Sequence, residues 1–337
     1  MIISSARLET DADEIADDLV DTGLDVEIRA FQIDTSQHGQ RLDVALVQLL
    51  PEFSRSFLQQ LIEAGAVSLA DVRATKPSSR VKVGMVGSVE LRPTAQSQAY
   101  KAEVIPLDII YSDEHLLIVN KPAGLVVHPA PGNWSGTLLN ALLGLDPRAS
   151  AVPRAGIVHR LDKNTSGLMV VARTRNCMDA LVQLISARTV GREYLALTAK
   201  PWTGPAQREV EMPIGRDPRN RLRMAAVDLD RHAGKEARTT LRVVDTNSRG
   251  SLVHCKLHTG RTHQIRVHMA SIGLPILADE VYGGKPTSAM RRQALHAFSL
   301  SFIHPVSRAA LSFRAPIPLD FAQAIVELGL RYNEASL

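Results

Sequence analysis

Cysteine is scarce in this chain of 337 residues: only Cys177 and Cys255 occur. Two cysteines cannot build a disulfide framework, and no Cys-x-x-Cys is present to suggest a zinc or redox site. Long hydrophobic runs are missing as well. The most apolar stretches, Leu116 to Val119 and Leu168 to Ala172, fall far short of the ~20 residues a membrane-spanning helix needs. The opening residues, MIISSARLETDADE, hold neither a basic leader nor an apolar segment, which speaks against a secretory signal and leads to the expectation of a cytoplasmic protein. No phosphate loop, Gly-x-Gly-x-x-Gly, His-Glu-x-x-His or Gly-x-Ser-x-Gly occurs, so nucleotide, zinc-protease and serine-hydrolase chemistries lack their usual residues. What is present is an ordinary globular composition, 45% hydrophobic and 22% charged, at a length suited to about two domains.

The net charge of +4 hides an asymmetry. Residues 1–37 carry ten acidic and two basic side chains, and the remainder carries 37 basic and 25 acidic ones. A body with a net charge of +12 favours a polyanionic partner, nucleic acid first, although a merely solvated basic surface has the same composition.

Residues 1–37 are expected to form an acidic extension with a short helix at Ala12 to Val20. From 38 to 92 a small α/β module is predicted. Leu42, Ala45, Leu46 and Leu49 recur at helical spacing, Pro51 breaks the run, and Ser54 can cap a second helix bearing Phe57, Leu58, Leu61 and Ile62. Short strands at Ala66 to Leu69 and Gly87 to Leu91 flank a basic loop. Residues 93–104 lack apolar periodicity and form a predicted linker. Beyond them, up to 325, short β-type runs dominate, with strands at 109–111, 116–120, 125–127, 156–160, 168–173 and 193–198 and helices at 138–143 and 176–187. That mixture without a βαβ repeat predicts an α+β domain with a mixed, largely antiparallel sheet. Residues 326–337 complete the division as a C-terminal tail.

Two polar clusters stand out. The loop HRLDKNTSG, His159 to Gly167, lies between strand-like runs. It begins like a calcium loop, with Asp162, Asn164, Ser166 and Gly167 at positions 1, 3, 5 and 6, but position 12 is Arg173 rather than Glu. The second cluster, HTGRTHQIRVHM, alternates with period two, which predicts a strand with Arg266 and His268 on one face and His263 on the other. Histidines on opposite faces do not make a metal site. From spacing alone Asp162 could be a turn residue, Arg266 a structural ion-pair partner and Tyr194 a half-buried core aromatic.

Together these stretches resemble the RluA-type pseudouridine synthases. The resemblance is carried by IIYSDEHLLIVNKPAGLVVHPAPGNWSGTLLNALL at 109–143, GIVHRLDKNTSGLMVVART at 156–174, GREYLAL at 191–197, TGRTHQIRVHM at 259–269 and RQALHAFSLSFIHPVSRAALSFRAPIP at 292–318. Residues 38–92 resemble the S4-type RNA-binding module in Arg41-Leu42-Asp43, in the Ser54-Arg55-Ser56 helix opening and in Gly65-Ala66-Val67. They depart from it at LADVRA, where the module shows a Val-Asn-Gly turn, and at Gly84-Met85, where it shows Gly-Asp.

The resemblance implies a pseudouridine synthase fold preceded by an S4-type module, and an enzyme that isomerises uridine. It implies that Asp162 is the nucleophile, that Tyr194 stacks on the target base and that Arg266 pairs with the aspartate. Arg160 would enter the helix as the target leaves it. Candidate RNA contacts in the module are Arg41, Arg55, Arg73, Lys76, Arg80 and Lys82. The arrangement is similar to the branch of the family that acts on a stem-loop of 23S rRNA. A tRNA or another rRNA site, or a non-catalytic RNA-binding role in ribosome assembly, stays open. The isomerisation gains and loses no atoms, so neither metal nor nucleotide cofactor is expected. A monomer without a membrane partner is expected.

Overall fold

Apolar residues at helical spacing in the first hundred positions become two short helices laid on a small sheet. The structure, a computed structural model, describes residues 27–91, 97–130, 133–220 and 223–333. It divides into two units, Met1–Gln98 and Ala99–Leu337. In the first, β1 (Glu27–Gln32), α1 (Leu42–Leu49), α2 (Arg55–Glu63), β2 (Val67–Leu69), β3 (Val72–Ala74) and β4 (Val86–Leu91) form an antiparallel sheet of order β1-β4-β2-β3 with its two helices. Ser54 caps α2, accepting from the Phe57 N–H at 3.3 Å. Leu42, Leu46, Leu58, Leu61 and Ile62 pack against Val67 and Val89 to make a separate core.

The acidic extension expected to reach residue 37 therefore ends sooner. Strand β1 lies inside it, Phe31 and Ile33 are buried, and the excess of acidic residues had masked this apolar alternation. The helix expected at Ala12 to Val20 lies outside the described residues. The LADVRA segment forms the tight β2–β3 hairpin, with Ala70 and Asp71 both left-handed at φ 49° and 62°, the conformation that Asn-Gly adopts without strain.

In the second unit the elements are β5 (Asp108–Ser112), β6 (Leu116–Lys121), α3 (Leu138–Leu145), β7 (Ser166–Ala172), α4 (Arg175–Ser186), β8 (Gly191–Thr198) and β9 (Gln207–Glu211). There follow β10 (Ile214–Arg216), β11 (Met224–Ala226), β12 (Gly234–Lys235), β13 (Arg238–Asn247), β14 (Gly250–Leu257), α5 (Gln264–Ser271), β15 (Leu295–Ile303), β16 (Ala310–Arg314) and α6 (Leu319–Glu327). Strands β10 to β12 make a small sheet of their own. The main sheet has the order β5-β6-β7-β15-β8-β14-β13-β9, with β16 also on β15. All its pairings are antiparallel except β7 with β15. The predicted mixed, largely antiparallel sheet is what forms.

Both faces of β6 and β7 are covered, which is why these strands are continuous apolar runs rather than alternating ones. Leu116, Ile118, Leu168 and Val170 face Cys177 and Leu181 of α4. Leu117, Val119, Met169 and Val171 face the larger core, which includes α3 and Phe321, Ala324 and Ile325 of α6. Leu328 and Leu330, in the span expected to be a tail, are buried in that core too. Part of the expected linker is also anchored here: Asn140 donates to the carbonyls of Ala99 and Lys101.

Three predicted strands do not form. Residues 125–127 make a single bridge, Val126 to Thr137. Residues 156–160 make only the bridge Ile157 to Val171, because Arg154, Ala155 and Gly156 are all left-handed and break the extended run. The segment around Arg266 is helix α5, not strand. Every residue from Gln264 to Met269 is buried, so no polar face exists to show a helical period.

Two glycines fix the polar loop between β7 and what precedes it. Gly156, at φ 80°, lies against the Ala172 carbonyl, and Gly167, at φ 116°, lies against the backbone of Ala297 on β15. A Cβ at either would overlap those atoms. Gly167→Ala should therefore lose at least about 3 kcal/mol of stability, combining a strained φ with overpacking. Urea unfolding of the full chain measures this, and a loss below about 1 kcal/mol would mean the backbones are not held this close.

Candidate active site

Asp162 sits in a loop whose backbone carbonyls are held one after another by cations and amides. The Lys121 ammonium, itself fully buried, donates to the Lys163 carbonyl at 3.1 Å and to those of Pro122 and Leu125. The Gly124 N–H reaches the same Lys163 carbonyl at 2.8 Å. Arg292, paired bidentately with Asp320, donates to the Asn164 carbonyl at 2.9 Å. The Thr165 N–H closes a turn on the Asp162 carbonyl at 3.0 Å, and Ser166 is bonded to His296 at 2.9 Å. Asp162 is thus both the turn residue its spacing allows and a carboxylate directed by that turn.

Helix α5 brings up the partner. Its first residue, Gln264, spans the preceding loop: its carbonyl accepts from Thr259 and the Arg261 N–H, and its amide donates to Arg238 and Thr239. Arg266 then donates through Nη1 to Asp162 Oδ2 at 3.0 Å. Its Nε and Nη2 grip Asp279 in a bidentate pair at 2.7 and 2.8 Å. Asp279 is 1% exposed, Arg266 7% and Asp162 18%, so of these three groups Asp162 is the one that meets solvent. Burial works against the Arg266 charge, but Asp279 and Asp162 outweigh it and raise its pKa.

His263 and Tyr282 complete this corner. The Arg266 guanidinium lies 5.0 Å from the Tyr282 ring centroid, a cation–π contact. The Tyr282 hydroxyl accepts from the Met224 N–H and bonds His263 Nδ1 at 2.9 Å. Burial holds His263 below its ordinary pKa, against the pull of Asp162. His263 Nε2 lies 3.8 Å from Asp162 Oδ1. His263 at φ 58° and Ala278 at φ 60° are left-handed, and each stands in or next to this network.

A cleft of about 560 Å³ opens in front of Asp162. Tyr194 lines it from β8, buried at 6% exposure, and burial pushes its phenol up to about 12 against the pull of Arg192. It is therefore a neutral, flat ring at working pH. The half-buried His159 accepts the Val170 N–H at 3.1 Å, and desolvation together with Arg192 pushes it down to about 3, so it too is neutral. Six arginines line the cleft, at 154, 160, 188, 192, 261 and 266, whereas Asp162 is its only acidic residue among the described residues. A half-enclosed carboxylate beside a neutral ring in a cationic cleft can attack an electrophilic carbon of a bound polyanion.

Asp162, Arg160, Tyr194 and Arg266, singled out by the sequence, all line this cleft, with Arg160 exposed at its edge. The six candidates in the N-terminal unit form a different group. Arg41 and Arg55 both bond the buried Asp43, at 2.9 and 2.8 Å, and with Gln59 hold its carboxyl well below the usual range. Arg73, Lys76, Arg80 and Lys82 are exposed or partly exposed, and Arg80 donates to the Gly39 carbonyl. Asp279, Tyr282, Lys121 and Arg292 carry no such mark in the sequence. Asp279 and Tyr282 lie in residues 270–291, between two recognisable stretches. The one signal there is an acidic residue directly after the apolar run Leu274 to Ala278.

Removing one partner of a buried charge pair leaves the other uncompensated, at about 3–5 kcal/mol. Asp279→Leu should accordingly destabilise the chain by that amount in urea unfolding. The double variant Asp279→Leu/Arg266→Met should recover most of the loss. A double variant as unstable as the single one would show that packing, not charge, holds this corner.

The chain resembles known proteins over most of its length. The model of the RNA pseudouridylate synthase family matches residues 115–271, and that of the S4 domain matches residues 40–86. The ribosomal large subunit pseudouridine synthase D of Neisseria meningitidis serogroup B is 47% identical over 305 residues, covering 87% of this chain and 79% of its own. Its namesake from Nitrosomonas europaea is 49% identical, covering 84% and 83%. Among solved structures, human RNA pseudouridylate synthase domain containing 4 superposes with a TM-score of 0.52 at 27% identity, over 67% of this chain and 94% of that one. Human RNA pseudouridylate synthase domain containing 1 gives 0.51 at 25% identity, over 68% and 96%. With relatives this similar over most of its length, and with an aspartate-centred cleft on the matching fold, the chain belongs to the RNA pseudouridylate synthase family and carries an S4 domain ahead of its catalytic domain.

Proposed function

We propose that this protein converts specific uridines in a stem-loop of large-subunit (23S) rRNA to pseudouridine, with Asp162 as nucleophile. The observation that carries the reading is Asp162 itself, held by Arg266 at 3.0 Å in a cleft lined by arginines. The substrate rests on relatives named for the large ribosomal subunit.

The target base must leave its helix, at a cost of a few kcal/mol, before either its sugar carbon or its ring edge can be reached. Arg160, exposed at the edge of the cleft, is suited to stack in the vacated space with its planar guanidinium. The flat, neutral face of Tyr194 is suited to stack on the flipped uracil. The bond that Asp162 forms to the nucleotide is broken again before release: overall the N1–C1′ bond breaks and a C5–C1′ bond forms, while the C5 proton leaves and N1 gains one. Electrons and atoms balance within the nucleotide, so the reading needs no metal and no nucleotide cofactor. The reading invokes no residue of a second copy, and a monomer is proposed. Among the described residues no helix is long and apolar enough to cross a membrane, and a cytoplasmic site of action fits an rRNA substrate.

Asp162→Asn keeps an oxygen to accept from Arg266, so folding and RNA affinity should stay close to wild type while isomerisation is lost. Pseudouridine mapping on a large-subunit rRNA transcript reads this out, and turnover within tenfold of wild type would sink the nucleophile assignment. Mapping the RNA of cells with and without the protein separates rRNA from tRNA as substrate.

The exposed basic side chains of Arg73, Lys76, Arg80 and Lys82 make the S4 domain a phosphate-binding anchor in this reading. Deleting residues 1–92 leaves Ala99–Leu337 whole. It should weaken binding to a large rRNA fragment and flatten its salt dependence, while turnover at saturating RNA stays within about an order of magnitude. Equal affinity of truncated and full chains across a salt series would remove the anchor role.

A further inference from the structure

Arg192 stands two residues before Tyr194 on β8, so the two side chains leave the strand on the same face, and both line the cleft. It is 8% exposed, and its Nε is buried without a hydrogen-bond partner. No carboxylate among the described residues pairs with it. The acidic residue that lines the cleft, Asp162, is engaged by Arg266. A desolvated, unpaired cation costs a fold several kcal/mol and is retained only for something that compensates it. Packing does not need it there: a methionine of similar length would fill the same place without the charge.

The neighbouring loop is shaped to admit the guanidinium. A Cβ at Gly260 would lie 2.7 Å from Arg192 Nη1, so any other residue at 260 would push the group aside. Arg188 and Arg261 line the cleft along with it. Arg261 is steadied by a bond from its Nε to the Glu236 carbonyl at 3.1 Å. A planar guanidinium offers paired donors that match two oxygens of one phosphate.

We infer that Arg192 is the site at which the cleft binds one phosphate of the RNA backbone, with Gly260 keeping the space open and Arg188 and Arg261 beside it. The inference rests on the RNA reading of the cleft. It adds a contact to the sugar–phosphate chain, distinct from the groups that touch the base or the reacting carbon. The contact anchors the strand beside the residue that stacks on its base.

The test uses the full chain, an rRNA stem-loop transcript and three proteins: wild type, Arg192→Met and Arg192→Lys. In Arg192→Met, RNA affinity should fall roughly tenfold and the slope of log affinity against log salt should shrink by about one, the signature of one lost phosphate contact. Arg192→Lys keeps the charge and should keep most of the slope. The melting temperature of Arg192→Met should match or exceed that of wild type, because an unpaired buried charge has been removed. A wild-type slope in Arg192→Met overturns the proposal. So does an equal loss of slope in both variants, which would mark a disturbed wall rather than a missing charge. Slopes need no turnover, so a wild-type protein that modified no rRNA would count against the substrate reading while the slopes still decided the contact.

Discussion

Everything in this cleft hangs on a buried carboxylate set behind Asp162. Asp279 is 1% exposed and engages two of the three guanidinium nitrogens of Arg266, leaving the third to donate to Asp162. A guanidinium is rigid and planar, so fixing one edge of it fixes the direction of the other. The Asp162 carboxylate is thereby aimed from behind, by an ion pair between α5 and the segment that follows it. Tyr282 closes the face of the same guanidinium, and its hydroxyl bonds His263 Nδ1 at 2.9 Å. The buried pair thus touches Asp162 and Tyr282 directly and His263 through Tyr282.

The loop carrying Asp162 is held in a complementary way, through its own carbonyls. Lys121 and Arg292 come from opposite ends of the domain in sequence and meet at adjacent peptide groups, Lys163 and Asn164. Neither cation bonds the carboxylate. The charges around the cleft therefore divide by what they hold. Some arginines and lysines grip backbone, one grips the aspartate, and the rest face the open space where a polyanion would lie.

Much of this is legible in the sequence, and where it is not the cause is physical. The HRLDKNTSG loop is visible because polar residues interrupt two strand-like runs, and Asp162, Arg160, Tyr194 and Arg266 do share a cleft. The secondary structure around Arg266 reads wrongly as strand because a helix buried on every side shows no helical period, and its apolar residues mimic alternation. Residues 156–160 read wrongly too, because left-handed backbone at Arg154 and Ala155 leaves no mark in hydrophobicity. Asp279 is hidden because a buried ion pair between residues 13 apart has no local pattern. Conversely, the apolar faces of α1 and α2 and the Ser54 cap are plain, since each depends only on neighbours in the chain.

The parallel pairing of β7 with β15 joins Ser166 to His296, and the Asn164 carbonyl is gripped by Arg292, which is itself paired with Asp320 near the end of the domain. During synthesis the strand that follows Asp162 must therefore wait, unpaired on one edge, until β15 and then α6 have left the ribosome. The nascent chain holds Asp162 early and the groups that brace its loop last. The brace on this loop is therefore completed by the final elements rather than built up with length, and a polypeptide that ends before α6 lacks the Arg292–Asp320 pair altogether.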